Sequence, residues 1–423
     1  MAVRRFSVVV PKRGVQRRAQ KKPATKKPAA YTKVDYVREK TAVGSRGVRK
    51  EQMKSKRSLP ELLKASDDEI IEMLVADGML PDWTGKQCPR CEKGRLSKLL
   101  QRPGRCGLRH RCNRKHCQMY MSPTHLHPWF TDGNGAAATP LQTQAAVLLM
   151  KLQNISLPST CQMLAVNHKL AEDMSTRLMY ARQDYVKAYQ PKIQLGSKKG
   201  DFRYVKYWVD VEGDEASFTK SNMLGVDPEV DPKKPVRWEQ WLGLVQRGRP
   251  ASLILERLNP PPSEVRAPGP GAVRKVEWMP LAKKHLQGNH IIFHTDAARS
   301  YTAKVDQVLH DNVVHAKKRK VIDGKVTWIK PNYVKVVSHK LPATSKTVRV
   351  KAGTQIIDRA WRYMKDRIVL NQILRTMNVR AGSKFLRAQI QAAQYQYWFK
   401  NEDPWTKACD LVTFKMEKMM KKC

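Results

Sequence analysis

Acidic residues are scarce in this chain. Thirty-seven Asp and Glu stand against 80 Lys and Arg among 423 residues, a formal net charge of +43. An excess of that size exceeds what solubility needs and asks for polyanionic company, nucleic acid first and an anionic membrane surface second. Long apolar runs are missing too: Ala145–Met150 is among the longest, far short of the roughly 20 residues that cross a bilayer. No integral membrane role is expected. The opening residues carry only Val8–Val10 between Arg4, Arg5 and Lys12, which is not the apolar segment of a secretory signal. Cysteine is sparse as well, and its eight residues do not form a disulfide framework, because five fall between Cys88 and Cys117. Such clustering suits a metal site in a reducing compartment. What is present is enough to build cores: 41% of residues are hydrophobic, with ten Trp and thirteen Tyr, which excludes wholesale disorder.

Composition and periodicity divide the chain into several parts. Residues 1–57 are rich in Lys, Arg, Pro and Ala and read as a disordered basic tail. Arg17, Arg18, Lys21, Lys22, Lys26 and Lys27 are its candidate nucleic-acid contacts. The tail suggests a nuclear address, with organelle targeting as the lesser alternative. Residues 58–85 form a short helical region, with acids early and Ile70, Ile71, Leu74 and Val75 near helical spacing. The cysteine cluster occupies 86–130. In 139–192 a helix over Leu141–Lys151, a break at Leu157-Pro158, a short helix Ser159–Leu164 and a longer one from His168 to Tyr189 give a helix-turn-helix-like pattern.

From Phe202 the period changes. Tyr204–Val211, Trp238–Val245 and Ala251–Leu258 read as strands. A Pro/Gly-rich loop follows, then a helix near Trp278–Gln287, a strand His290–Thr295, a helix Ala297–Leu309, a short strand Asn312–His315, and a helix from Thr354 to about Leu374. A basic, β-prone insertion, Val321–Val350, interrupts this α/β region of 202–374, and a helical extension, 375–423, closes the chain. Tyr395, Tyr397, Trp398 and Phe399 in that extension suit either base stacking or packing of a helix on the sheet. Met416, Met419 and Met420 read as an amphipathic helix end, and His125 and His127 as a solvated loop.

Cys88-Pro-Arg-Cys91 and Cys112-Asn-Arg-Lys-His-Cys117 carry the strongest local signal. A CxxC knuckle converges two thiolates, and a second pair some twenty residues on closes a tetrahedron around structural zinc. The second spacing is loose, so Cys106, His110 and His116 remain alternatives for the fourth ligand. Four protein ligands leave no open position, which assigns this zinc to folding.

The few acids are not scattered. Asp210, Glu212, Asp214 and Glu215 crowd into Trp208–Phe218, at the end of the first predicted strand. Like charges so close repel unless a cation relieves them. Asp296 ends the fourth predicted strand, where ligands of open α/β sheets gather, and Asp358 opens the next long helix. Three acids so placed suit a two-metal phosphoryl-transfer site holding Mg²⁺ or Mn²⁺.

In the order cysteine ribbon, helical region and acid-bearing sheet, the chain resembles the transposases of the ISXO-like insertion-sequence group and their eukaryotic Merlin-type relatives. Val211-Glu-Gly-Asp-Glu-Ala-Ser-Phe218 is similar to that family's Val-Glu-Ile-Asp-Glu block, and Trp241-Leu-Gly-Leu-Val-Gln-Arg-Gly248 to its second strand. Thr295-Asp296 with Tyr301 is similar to its Ser/Thr-Asp…Tyr block, and Val313-Val-His315 to the short strand after it. Thr354-Gln-Ile-Ile-Asp-Arg-Ala-Trp361 resembles its Thr-Asn-Thr-Ile-Glu-Gly-Leu-Trp block. The resemblance covers roughly residues 86–399. It implies a zinc ribbon, a helix-turn-helix-like region and a ribonuclease-H-like domain with a mixed five-stranded sheet, acting on DNA as a possible homo-oligomer. Asp214, Asp296 and Asp358 would hold two Mg²⁺ or Mn²⁺ ions, and Lys365, on the same helix face as Asp358, would contact phosphate. The chain departs from the pattern at three places. Asp358 stands where Glu is usual, Gly353 where His is, and Gln355 where Asn is. Gly213 also sits inside the first acid-bearing strand, where it should weaken pairing. A catalytically inactive, domesticated derivative that binds nucleic acid or plays an architectural part is the alternative reading.

Overall fold

The computed structural model describes residues 34–38, 55–101, 107–132, 139–315, 318–322, 325–368 and 380–420. Everything below concerns the unit Asp35–Cys423. The tail residues Arg17, Arg18, Lys21, Lys22, Lys26 and Lys27 lie outside the described residues, as does Cys106.

Two short helices come first, α1 (Leu59–Lys64) and α2 (Asp67–Ala76). Each starts with a capping box, Ser58 with Glu61 and Ser66 with Glu69, in which the serine accepts a backbone N–H and the glutamate reaches back to the cap; this satisfies donors that a helix start leaves open. Strands β1 (Leu100–Gln101), β2 (Leu108–Arg111) and β3 (Tyr120–Met121) then form a small antiparallel sheet in that order. Helices α3 (Leu141–Leu152), α4 (Leu157–Leu164) and α5 (His168–Tyr189) follow. Leu157-Pro158, expected as a break, is instead the first turn of α4, where proline loses no hydrogen bond because the N–H there has no helical partner. The turn into α5 passes through Ala165 in the left-handed region (φ 50°) to the Asn167 cap.

The central sheet has five strands in the order β6-β5-β4-β7-β8: β4 (Val209–Asn222), β5 (Val236–Gln246), β6 (Ile254–Arg257), β7 (Ile291–Thr295) and β8 (Val308–Asn312). β4 pairs in parallel with β7 and β7 with β8, while β5 runs antiparallel to both of its neighbours, β4 and β6. Helix α6 (Lys275–His285) covers one face. There Trp278 stacks on Phe293 with ring centroids 5.2 Å apart, among Val211, Leu244 and Ile291. Helices α7 (Gln355–Lys365) and α8 (Lys384–Trp398) cover the other face, packing Ile357, Trp361 and Leu386 with Ala216, Phe218 and Trp241. This second core is continuous with the apolar residues of α1–α5 and of α9 (Pro404–Met420). Nine α-helices are present among the described residues, and none is long and apolar enough to cross a membrane.

Several sequence expectations shift. The first strand starts at Val209 rather than Tyr204, after a 3₁₀ turn at Val205–Tyr207. The helix expected over Ala297–Leu309 does not form: a 3₁₀ turn at Arg299–Thr302 leads into β8, which also displaces the strand expected at Asn312–His315. Pairing of Val308–Asn312 with Ile291–Thr295 outweighs the helical propensity of the segment. The basic insertion consists of two hairpins, β9 (Lys318–Ile322) with β10 (Lys325–Ile329) and β11 (Lys335–Lys340) with β12 (Thr347–Ala352). Gly213 does not loosen its strand. It pairs with Leu244, and a Cβ there would meet the Phe293 ring at 2.5 Å, so packing across the sheet demands glycine. His127, expected in a solvated loop, is buried; its Nε2 lies 2.9 Å from the Met79 carbonyl, and its Nδ1 accepts from the Trp129 and Phe130 amides. Tyr395, Tyr397 and Trp398 are buried in the helical core, so helix packing rather than base stacking accounts for them. Met416 is buried as well.

The tail is not wholly unstructured. Tyr36 and Arg38 dock on the central sheet, and Arg57 forms a two-pronged pair with Asp77, Nε to Oδ2 at 2.7 Å and Nη2 to Oδ1 at 2.9 Å. A composition dominated by lysine and proline hid these few anchoring side chains.

Candidate metal centre and acid cluster

Cys88, Cys91, Cys112 and Cys117 converge, with all four sulfurs within 4.8 Å of one another. Cys88 lies 3.8 Å from Cys117, and Cys91 3.7 Å from Cys112. A zinc ion with metal–sulfur bonds of about 2.3 Å requires tetrahedral edges of about 3.8 Å, so the cage already has the size of a Cys₄ zinc site. Its construction follows from local backbone. The Gly94 amide donates to Cys91 Sγ at 3.3 Å, and amides from Lys93 and then Gly94 draw the Cys91 thiol down to about 6, toward the thiolate a metal needs. Gly94 has no side chain for a reason: a Cβ would sit 2.4 Å from Cys112 Sγ. The alternatives for the fourth ligand separate here. His110 is buried with Nδ1 2.8 Å from the Ser97 carbonyl, and His116 is exposed; neither joins the cage.

The acids sort by the two-residue period of their strands. Asp210, Glu212 and Asp214 of β4 face α7, whereas Glu215 faces the other way. There its carboxylate accepts from Tyr301 Oη and from the Val273 amide at 3.1 Å. On β7 the register sets Asp210 beside Ile292 and Glu212 beside His294, so the next step along the same face brings Asp214 to Asp296. Pairing of β4 with β7 stops at Glu212–His294, and both acids lie just beyond the split, at the carboxyl edge where α/β sites form.

Glu212 is fully buried, and its two oxygens take four donors. Oε1 accepts from Arg247 Nε and Tyr36 Oη, both at 2.7 Å; Oε2 accepts from the Ile356 and Ile357 amides at 2.7 and 3.0 Å. Those amides begin α7, so a carboxylate of β4 caps the helix that carries Asp358. Trp361, one turn on, donates its indole N–H to Asp214 Oδ2 at 3.0 Å. Gly243, opposite Asp214 on β5, leaves room for that indole, because a Cβ would meet it at 2.6 Å. Gly353 is equally constrained: its φ is +148°, and a Cβ would lie 2.7 Å from the Tyr333 carbonyl. A histidine has no place there.

The electrostatics match this crowding. Burial first, then the charges of Glu215, Asp358 and Asp296, hold the Asp214 carboxyl well above the usual carboxylate range. Burial raises Asp358 too, with Glu212 and Asp296 adding to it against the hydrogen bond from Thr354 Oγ1 at 3.2 Å. Asp296 accepts the Ala298 amide at 2.9 Å. Three acids from β4, β7 and α7 thus act on one another, although among the described residues only the cysteines gather tightly enough to form a ready cation cage. Asp358 and Lys365 lie on the solvent side of α7, with the Asp358 carboxyl turned in toward the Thr354 hydroxyl and so partly screened from water.

Asp210 serves a different purpose. It lies in a buried chain: Arg38 Nε 2.5 Å from Asp210 Oδ2, Asp210 Oδ1 3.0 Å from His294 Nε2, His294 Nδ1 2.7 Å from Asp311, and Asp311 2.8 Å from His339 Nε2. Burial opposes charge on both carboxylates, yet the His294 hydrogen bond to each, with Arg38 on Asp210 and His339 on Asp311, holds them below the usual range. Sequence reasoning missed Tyr36, Arg38, Arg247, Asp311 and His339. Only His294 carried a signal, since it shares a strand face with Asp296. Comparison with protein-family models, with curated proteins and with solved structures finds no match for this chain.

Proposed function

We propose that this chain is a DNA transposase-like protein with a ribonuclease-H-like core, cutting and joining DNA strands with the help of divalent metal. One observation carries the reading: Asp214 and Asp296 stand on one face at the split between two parallel strands, and the helix bearing Asp358 is fastened to the same strand through Glu212 and Trp361. Crowded carboxylates that raise one another's proton affinity suit Mg²⁺ or Mn²⁺, which bind oxygen ligands and relieve the repulsion. When bound, such ions activate a water or a 3′-hydroxyl and neutralise charge on the reacting phosphate. Asp214, Asp296 and Asp358 would hold them, with Trp361 fixing the Asp214 carboxylate and Lys365 on the phosphate side. The Cys₄ cage, as a zinc ribbon, and the α4–α5 pair, as a helix-turn-helix-like unit, would grip DNA. The basic excess would add phosphate contacts without sequence preference. A nuclear location and a homo-oligomer accord with that substrate.

The domesticated, non-cutting derivative keeps a specific argument in its favour. Asp358 is one methylene shorter than the family's glutamate and exposed, and the three acids are less tightly gathered than the thiols. Nicking of supercoiled plasmid in Mg²⁺ or Mn²⁺, with Asp214→Asn and Asp296→Asn as controls, decides between the two. Cutting by the native chain that both substitutions abolish is expected. DNA binding by all three without any cutting would leave the derivative reading standing.

A further inference from the structure

Among the helices lies a cavity of about 330 Å³ bounded by the end of α3, by α5, by the residues after α7 and by α8 and α9. Arg182 of α5 lines it and also lines a neighbouring cavity of about 280 Å³. Its side chain belongs to a residue only 7% exposed, its Nε has no hydrogen-bond partner, and no carboxylate among the described residues pairs with it. A like charge acts on it, that of Arg367, which lines the same two cavities; its Nη1 donates to the Tyr363 carbonyl at 3.0 Å, while its Nε is unpartnered. Lys400 adds a third cation to the wall, and Lys407 a fourth that is already paired with Glu402 and Asp410. Aromatic rings give partial compensation: Arg182 lies 6.0 Å from the Tyr395 centroid, Arg367 3.4 Å from that of Tyr363, and Lys400 4.0 Å from that of Tyr397. The two acids at the rim are already engaged, Glu402 with Lys407 at 2.6 Å and Asp403 with Thr406.

A buried guanidinium without a counter-charge is strongly unfavourable; Arg182 is one, and it faces a partly open cavity that the half-buried Arg367 and the exposed Lys400 also line. We infer that this cavity binds a small phosphate-bearing anion, held by the forked donors of Arg182 and Arg367 with Lys400 beside them. Guanidinium forks match phosphate oxygens in pairs, and three cations suit a dianion better than a single carboxylate. Duplex DNA is too bulky for the space, so the ligand is inorganic phosphate or a small phosphate ester. Bound there, it would tie α5 to the segment following α7. The inference is independent of any DNA cutting.

Calorimetric titration of the full chain at constant ionic strength tests it, with inorganic phosphate, inositol hexakisphosphate, sodium chloride and a short DNA duplex as separate arms. Saturable binding of either phosphate compound is expected, and which one binds identifies the source. Arg182→Met should weaken it at least tenfold while leaving the chain no less stable in phosphate-free buffer, because an unpaired charge has been removed. Should Arg182→Met not fold, Lys400→Met serves in its place, with weakened binding expected. Heat from the duplex alone, no heat beyond the chloride arm, or undiminished phosphate binding by the substituted chains overturns the inference.

Discussion

Replacing Glu212 by glutamine changes one oxygen for an amide group, yet it should be among the most damaging conservative substitutions in the chain. Both partners of the Glu212–Arg247 pair are almost wholly buried, their side chains 0% and 2% exposed. Each carboxylate oxygen accepts two donors. A glutamine must turn its NH₂ either toward Arg247 and Tyr36 or toward the Ile356 and Ile357 amides, so two donors face a donor whichever way it points. The arginine also loses its only carboxylate among the described residues; its remaining contacts there are the carbonyls of Tyr36, Lys351 and Gly353 and the Tyr36 ring, 3.9 Å away. Breaking one side of a buried ion pair costs about 3–5 kcal/mol, and unfolding in urea should read a loss of that order. The loss should also be local: hydrogen exchange at the Ile356 and Ile357 amides should speed up before that in the middle of β5. In a double-mutant cycle with Arg247→Met, the two losses should fall short of adding by about 2 kcal/mol, as residues of one buried network do. A loss below about 1 kcal/mol, or strict additivity, would refute the view that this carboxylate anchors α7 to the sheet.

If the Cys₄ cage holds zinc, metal analysis of purified protein should find about one per native chain, lost in Cys88→Ser and in Gly94→Ala through the 2.4 Å approach to Cys112; full zinc in Gly94→Ala would contradict the packing argument. His127 is held neutral by burial, its imidazole pushed down to about 3. The unfolded chain therefore takes up a proton below about pH 6.5 that the folded chain refuses. The stability His127 contributes is complete above that pH and falls by about 1.4 kcal/mol per unit between 6.5 and 3. Urea unfolding at pH 7 and 5.5 should show His127→Gln losing less on acidification than the native chain; parallel losses would count against it. Asp214→Asn keeps an oxygen for the Trp361 indole while removing one of several crowded charges, so with EDTA present it should raise stability by about 1 kcal/mol. A lower melting temperature in EDTA would mean that the acids do not strain one another.

The crowding of acids was legible in sequence, whereas their division between two faces, with Glu215 turned to Tyr301 and Val273, follows from strand alternation once the strand is in place. The strand expected to end near Val211 runs on to Asn222, so Asp214 lies within β4, on the sheet face it shares with Asp296 just past the last β4–β7 pair. The cysteine cage was legible because a CxxC knuckle sets its own geometry. The helix expected at Ala297–Leu309 failed because β8 is chosen by its neighbour: Val308 and Leu309 read equally well on a helix and in a buried parallel strand. The glycines misled in the opposite direction. Gly213 and Gly353 looked like weaknesses or departures, whereas the Phe293 ring and the Tyr333 carbonyl occupy the space a side chain would need.

The docking of Tyr36 bears most on how the site could work. Its hydroxyl donates to Glu212 and accepts the Gln355 amide at 3.0 Å, its carbonyl accepts from Arg247, and its ring lies under the Arg247 guanidinium. One residue more than 170 positions before the acid-bearing strand therefore completes the shell of the carboxylate that caps α7, and Arg38 does the same for the Asp210–His294 chain. Burial and the Glu212 charge push the Tyr36 hydroxyl well above its usual range, so it stays a donor at any physiological pH. The segment reads as tail by composition, but it is held as core, because a buried carboxylate with four donors tolerates the loss of none of them cheaply. Geometry at Asp358 then depends on an N-terminal stretch that no alternation, spacing or motif within the sheet could have pointed to.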